Sequence, residues 1–121
     1  MADRALITTA GKVIIATALA AAHACRFIAH GTGTTQTEIT DTTLEAKVAG
    51  DTPAQATESV VAGGKYRLVG TVTSVAGATI TEVGLFPLVA CAANIVYHET
   101  FTGVVLAAGD SITYTLDVIA G

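Results

Sequence analysis

The residues of this chain that could do chemistry are few: two cysteines, Cys25 and Cys91, three histidines, His23, His30 and His98, and one carboxylate, Glu82, set in an apolar run beside Ile80 and Val83. A zinc site would have to gather His23, Cys25, His30 and Cys91, but their spacings match none of the paired-ligand patterns that tetrahedral zinc sites use. The two cysteines lie 66 residues apart among alanines and other small residues, which is the setting of buried free thiols in a reducing compartment, although one bridge would also be compatible. Glu82 invites a catalytic reading, yet a one-carboxylate site lacks the partner that acid–base chemistry needs, and a strand glutamate commonly pairs with an arginine. Arg67 on the neighbouring strand is the expected partner. His98 stands alone in a strand pattern and is expected to face solvent or a strand neighbour.

Other catalytic patterns are missing. No serine sits in a nucleophile elbow, no histidine is placed by a recognisable acid, and no carboxylate cluster suggests magnesium. Gly31-Thr32-Gly33-Thr34-Thr35 is rich in turn formers, but a phosphate-cradling loop needs a further glycine and then Lys-Ser or Lys-Thr on a helix, and neither follows. The expectation is a protein that is not an enzyme, with no catalytic, cofactor-binding or metal-binding residues.

The elements that position these residues divide the chain by hydrophobic period. Residues 1–9 read as an N-terminal arm, Ala2 to Thr9 combining mixed charge with a short apolar strip, which is expected to reach a neighbouring subunit. Residues 10–26 read as an Ala-rich helix, capped by Thr8 or Thr9, with Ile15, Leu19 and Ala22 on one face. Its apolar run, Val13 to Cys25, is 13 residues long, too short for the roughly 20 that a membrane span requires, and it begins too far inside the chain for a signal peptide. Residues 27–56 read as loop with a short strand at Phe27 to His30 and a second short helix. Asp41 or Thr42 would start that helix, Glu45 would close a capping box, and Leu44 and Val48 would face inward. The stretch from Ala49 to Ala56 is the most loop-like in the chain.

From Thr57 onward the period is two. Tyr66, Leu68, Gly70 and Val72 share one face of a strand, Thr79 to Phe86 forms a second strand stopped by Pro87, and Asn94 to Thr102 a third. Val104 to Leu106 is a short fourth piece. The last strand is the clearest, with Ile112, Tyr114, Leu116 and Val118 pointing one way and Thr113, Thr115 and Asp117 the other. One domain over residues 1–121 is expected, mainly β, an antiparallel β-sandwich or jelly roll with an N-terminal helix and a short second helix, 57–121 being its β-rich core.

Composition bears on what this fold does. At 121 residues the chain has room for one core. Only 13% of residues are charged, against about 25% in an average soluble domain, and the rest is led by 23 Ala and 20 Thr. Such a surface leaves wide neutral stretches that favour an assembled protein over a free one. All six basic residues lie at or before Arg67, and the last 54 residues carry only Glu82, Glu99, Asp110 and Asp117. Without a Lys/Arg cluster, nucleic acid is a poor partner, and a membrane is likewise not expected. The acidic half could instead dock on a basic neighbour or on another copy of the chain.

Two stretches carry a family likeness. Phe27-Ile28-Ala29-His30-Gly31-Thr32-Gly33-Thr34-Thr35 is followed within six residues by Asp41-Thr42-Thr43-Leu44-Glu45, and Ile80-Thr81-Glu82-Val83-Gly84-Leu85-Phe86 by a closing Gly109-Asp110-Ser111-Ile112-Thr113. In this order they resemble small virion proteins of tailed bacteriophages, over roughly residues 8 to 118. The chain departs from that pattern at Pro87-Leu88-Val89-Ala90-Cys91, which is apolar where such proteins often carry a Gly- or Asn-rich turn. The resemblance implies a β-rich structural subunit, made and assembled in the bacterial host cytoplasm and present in many copies on the virion. One placement is a capsid decoration (cement) protein, a homotrimer seated over the joints of the major capsid protein. The other is a tail, baseplate or fibre-attachment component. Decoration is preferred because the sequence shows one short domain without repeats. A carbohydrate-binding module is a third reading, disfavoured because the chain has no Trp and only three Tyr, Tyr66, Tyr97 and Tyr114, two of them on expected core faces.

Overall fold

The computed structural model describes residues 6–119. Most of the proposed N-terminal arm, residues 1–5, lies outside them, and residues 6–8 lead directly into the helix.

The first element is the helix α1, Thr9–Ala22. Thr8 caps it by accepting a hydrogen bond from the Gly11 N–H at 3.0 Å. It ends four residues earlier than the sequence suggests. His23 takes a left-handed conformation (φ 49°), and the N–H of Ala24 closes on the carbonyl of Leu19 at 3.2 Å. Its inward face is also turned: Ala16 is buried and Leu19 and Ala20 pack beside it, whereas Ala22 is exposed. The small Ala16 lets the helix lie close to the sheet.

Seven strands follow: β1 Phe27–Gly31, β2 Ala54–Gln55, β3 Thr57–Val61, β4 Lys65–Thr73, β5 Ala78–Phe86, β6 Tyr97–Leu106 and β7 Ser111–Ile119. They form two antiparallel sheets, a four-stranded one in the order β2-β1-β5-β6 and a three-stranded one in the order β3-β4-β7. The alternation read from the sequence matches the burial: Tyr66, Leu68, Gly70 and Val72 are buried on β4, and Tyr114 and Leu116 on β7. These residues share one core with Ile28 of β1 and with Val83 and Leu85 of β5, and Ala16 of α1 closes it.

The four-stranded sheet is covered on its second face too. Ala29, Leu44, Phe86 and Cys91 form a smaller cluster there, packed with Phe27 and Ile95. The covering layer is irregular chain, residues 32–50 and 87–96. β5 is therefore enclosed from both sides, and Glu82 to Phe86 are all buried.

Two expectations are corrected. The second helix is absent. The backbone N–H groups of Glu45 and Ala46, which a helix starting at Asp41 or Thr42 would direct along its own axis, point instead at the carboxylate of Glu82, at 3.0 and 2.8 Å. Lys47 then forms a β-bridge with Gly31. The expected third and fourth strands are one strand, β6, whose register against β5 shifts between Ile80 and Glu82. Gly103 reads as a break in the sequence but is a close approach: a Cβ there would lie 2.6 Å from the Thr79 methyl group.

Candidate functional site

The densest polar cluster is built on Glu82, at the middle of β5 on the face covered by irregular chain. Its side chain has no exposed surface. One oxygen, Oε2, accepts the N–H groups of Gly33 and Ala46, each at 2.8 Å. The other, Oε1, accepts the N–H of Glu45 at 3.0 Å and lies 2.9 Å from His98 Nε2. Four donors thus saturate the carboxylate. Burial alone would push its pKa up, but the hydrogen bonds from Ala46, Glu45, His98 and Gly33 together outweigh that effect and hold the carboxyl below its ordinary range.

His98 comes from β6, beside Gly84 of β5, and links Glu82 to the covering loop. Its Nδ1 lies 2.8 Å from Asp41 Oδ2, which also accepts the N–H of Glu38 at 2.9 Å. That backbone bond, followed by the one from His98, holds the Asp41 carboxyl below its usual value. Glu45 completes the lock by accepting the Thr35 hydroxyl and the N–H groups of Thr35 and Thr34, which lower its pKa as well. Glycine at position 33 is required here, because a Cβ would collide with the Glu82 carboxylate and lie 2.6 Å from Glu45 Cβ.

A second network centres on the buried His30. His30 Nε2 lies 2.7 Å from Asp51 Oδ2, and His30 Nδ1 lies 2.8 Å from the Tyr114 hydroxyl. Asp51 Oδ1 accepts the Val75 N–H at 2.8 Å. The network ties β1 of one sheet to β7 of the other and to the β4–β5 turn. Burial, followed by the Asp51 charge, raises the Tyr114 pKa. A third link joins the end of α1 to β3 and β4, where Glu58 pairs with His23 and accepts the Tyr66 hydroxyl, whose oxygen lies 2.9 Å from the Cys25 carbonyl.

These contacts revise the sequence reading at several residues. Arg67 does not reach Glu82. It makes a two-pronged ion pair with Asp117, Nε–Oδ1 at 2.7 Å and Nη2–Oδ2 at 2.9 Å. His98 does meet a strand neighbour, but both it and His30 are oriented by acids, Asp41 and Asp51, which sequence reasoning did not connect to them. The zinc quartet is not assembled: Cys25 and Cys91 are free and buried in different clusters, and among the described residues no three His, Cys, Asp or Glu side chains are placed to hold a metal. Burial pushes the Cys91 thiol up to about 11.

Two shallow crevices, of about 360 and 280 Å³, flank Asp41 and His98. Threonine hydroxyls line the larger one, including Thr35, Thr40 and Thr43. The cluster pins the covering loop to β5, with the Glu82 oxygens filled and both His98 nitrogens engaged. Comparison with protein-family models, with curated proteins and with solved structures finds no match for this chain.

Fifteen large aliphatic side chains are exposed among the described residues. They include Leu6 and Ile14 at the helix, Ile39, Leu88 and Val89 in the covering loops, and Val105 on β6. Charges are scarce between them, and Arg67, Asp117, Asp41, Glu45 and Glu58 are already engaged within the chain.

Proposed function

We propose that this chain is a non-enzymatic structural protein of a tailed-bacteriophage virion, a capsid decoration (cement) protein that stabilises the head through contacts with the major capsid protein and with copies of itself. The observation that carries this reading is the exposed aliphatic surface. Side chains such as Leu6, Ile14, Leu88 and Val105 are 68–79% exposed, an arrangement that costs solubility unless sister or partner molecules cover them. The phage assignment itself rests on the resemblance of the Phe27–Thr35 and Ile80–Phe86 stretches. The locked loops support a scaffold role, because Glu82, His98 and Asp41 spend their polar groups on rigidity. We also read the two sheets as a sandwich. They share a core, and a Cβ at Gly70 of β4 would lie 3.2 Å from the Ile28 methyl of β1, which indicates close face-to-face packing.

The test is to add the purified chain to expanded heads that lack it and to count bound copies. Hundreds of copies per particle, together with heads that resist heating better, are the expected result. A handful of copies at one vertex would instead assign the chain to the tail or baseplate. Failure to bind heads and tails alike would overturn the virion reading.

A further inference from the structure

We propose that residues 36–43 of the covering loop form a proton latch: the segment is seated on β6 only while His98 carries a proton on both ring nitrogens, and it is released when the ring becomes neutral. Nδ1 of His98 lies 2.8 Å from Asp41 Oδ2, and Nε2 lies 2.9 Å from Glu82 Oε1. A neutral imidazole has one N–H and one bare lone pair, which suits a carboxylate on one side only, so two carboxylates need two N–H donors. Neither acid is free to supply the missing proton. Three backbone N–H groups point at Glu82 and the Glu38 N–H points at Asp41 Oδ2, which holds both acids ionised. Their lowered carboxyl pKa values agree. His30 is built differently: one neighbour is Asp51 and the other is the Tyr114 hydroxyl, which can donate, so a neutral ring satisfies both.

The remaining charges near His98 do not replace its proton. From the covering loop, Glu45 and Glu38 share its two crevices, neither of which is lined by Lys or Arg, and the loop's one lysine, Lys47, donates to the Ala90 carbonyl. The segment 87–96 brings only Cys91, buried in the Phe86 cluster, and on β6 itself Tyr97 donates to Glu99. The anchors decide which side gives way. The Glu82 side chain has no exposed surface and keeps its three backbone donors, whereas Asp41 is 28% exposed and its other bond, from Glu38, lies within the segment. The last ring proton therefore stays on Nε2, and Asp41 lets go. Among the described residues the segment has one other hydrogen bond to the body of the molecule, from the Ile95 N–H to the Thr42 carbonyl at 3.0 Å. Its ends are held by Thr35, bonded to Glu45, and by the buried Leu44, and between them it carries the fully exposed Ile39.

Nuclear magnetic resonance of the full chain tests the latch, with only three histidine rings to assign. In the seated segment both nitrogens of His98 are expected to be protonated, and above its titration the ring is expected to keep its proton on Nε2. Seating takes up one proton, so rising pH opens the segment by about tenfold per pH unit beyond that point. Amide exchange at Ile95 and Glu38, corrected for the intrinsic pH dependence of exchange, should rise accordingly while β4 and β7 stay protected. Two variants should move in opposite directions. His98→Gln lacks the second proton and should leave the segment released at every pH. Asp41→Asn can turn an NH₂ group toward a neutral ring and should keep the segment seated, with less than about twofold change per pH unit. A singly protonated ring in the seated segment, a ring that titrates without loosening Ile95 and Glu38, a neutral form protonated on Nδ1, or protection lost across β4 and β7 in the same step would each overturn the proposal. So would full protection in His98→Gln, or the full pH dependence in Asp41→Asn.

Discussion

Glu82 is a buried anion whose four hydrogen bonds come from three different places in the chain: Gly33, the Glu45–Ala46 pair and His98. Replacing it by glutamine keeps the shape but turns one acceptor into an NH₂ donor facing backbone donors. Each buried group left without a partner costs about 1–3 kcal/mol, so Glu82→Gln should lower stability by roughly 3 kcal/mol, read from the urea midpoint. A loss below about 1 kcal/mol would mean that the loop is not anchored there. The same residues set the acid response. Glu82, Asp41 and Glu45 have folded-state pKa values below their ordinary ones, so the unfolded chain binds protons first as pH falls. Their contribution is fully present above the ordinary carboxylate range, about pH 4, and is lost as pH drops through the folded values. The melting temperature should accordingly fall steeply below about pH 4, and Glu82→Gln should flatten that slope.

At the scale of elements, what the sequence showed depended on how local the cause was. β4 and β7 were legible because one face of each meets the core and the other faces out, which writes a period of two into Tyr66–Val72 and Ile112–Val118. β5 was legible as a strand, but its double burial was visible only as an unbroken run from Glu82 to Phe86. The second helix failed for a non-local reason: Asp41, Thr42 and Glu45 form a good helix start, and a carboxylate 37 residues after Glu45 takes its N–H group instead. No spacing rule links His98 to Asp41, 57 residues away. The turn between β3 and β4 offers a controlled test of how α1 is seated. Gly63 and Gly64 both have positive φ, 84° and 72°, but a Cβ at Gly63 meets open space whereas one at Gly64 lies 2.5 Å from Lys12 Cβ. Gly63→Ala should cost only the left-handed penalty of about 1–2 kcal/mol. Gly64→Ala should cost more and also push the helix away, lowering ellipticity at the helical minimum. Equal losses would show that α1 is not held against this turn.

For the whole molecule the decisive balance is between apolar surface and free charge. Ion pairs and carboxylate hydrogen bonds inside the chain absorb most of the acids, and the exposed aliphatics extend over the helix, the covering loops and the edge of β6. Association driven by such a surface is hydrophobic, and the two driving forces leave different signatures. Charge steering fades once salt shortens the screening length, which falls from about 10 Å at 0.1 M to about 3 Å at 1 M. Apolar burial is insensitive to that change, is strengthened by sulfate, and weakens on cooling because its driving force near room temperature is entropic. If the chain binds heads or other copies of itself as proposed, that binding should change less than about threefold between 0.1 M and 1 M sodium chloride, tighten in sulfate, and loosen as temperature drops toward freezing. Measured by sedimentation or by particle pull-down, a steep loss of binding with sodium chloride would transfer the interface from the exposed aliphatics to the charges that form no ion pair among the described residues, Lys12, Arg26 and Lys65 foremost.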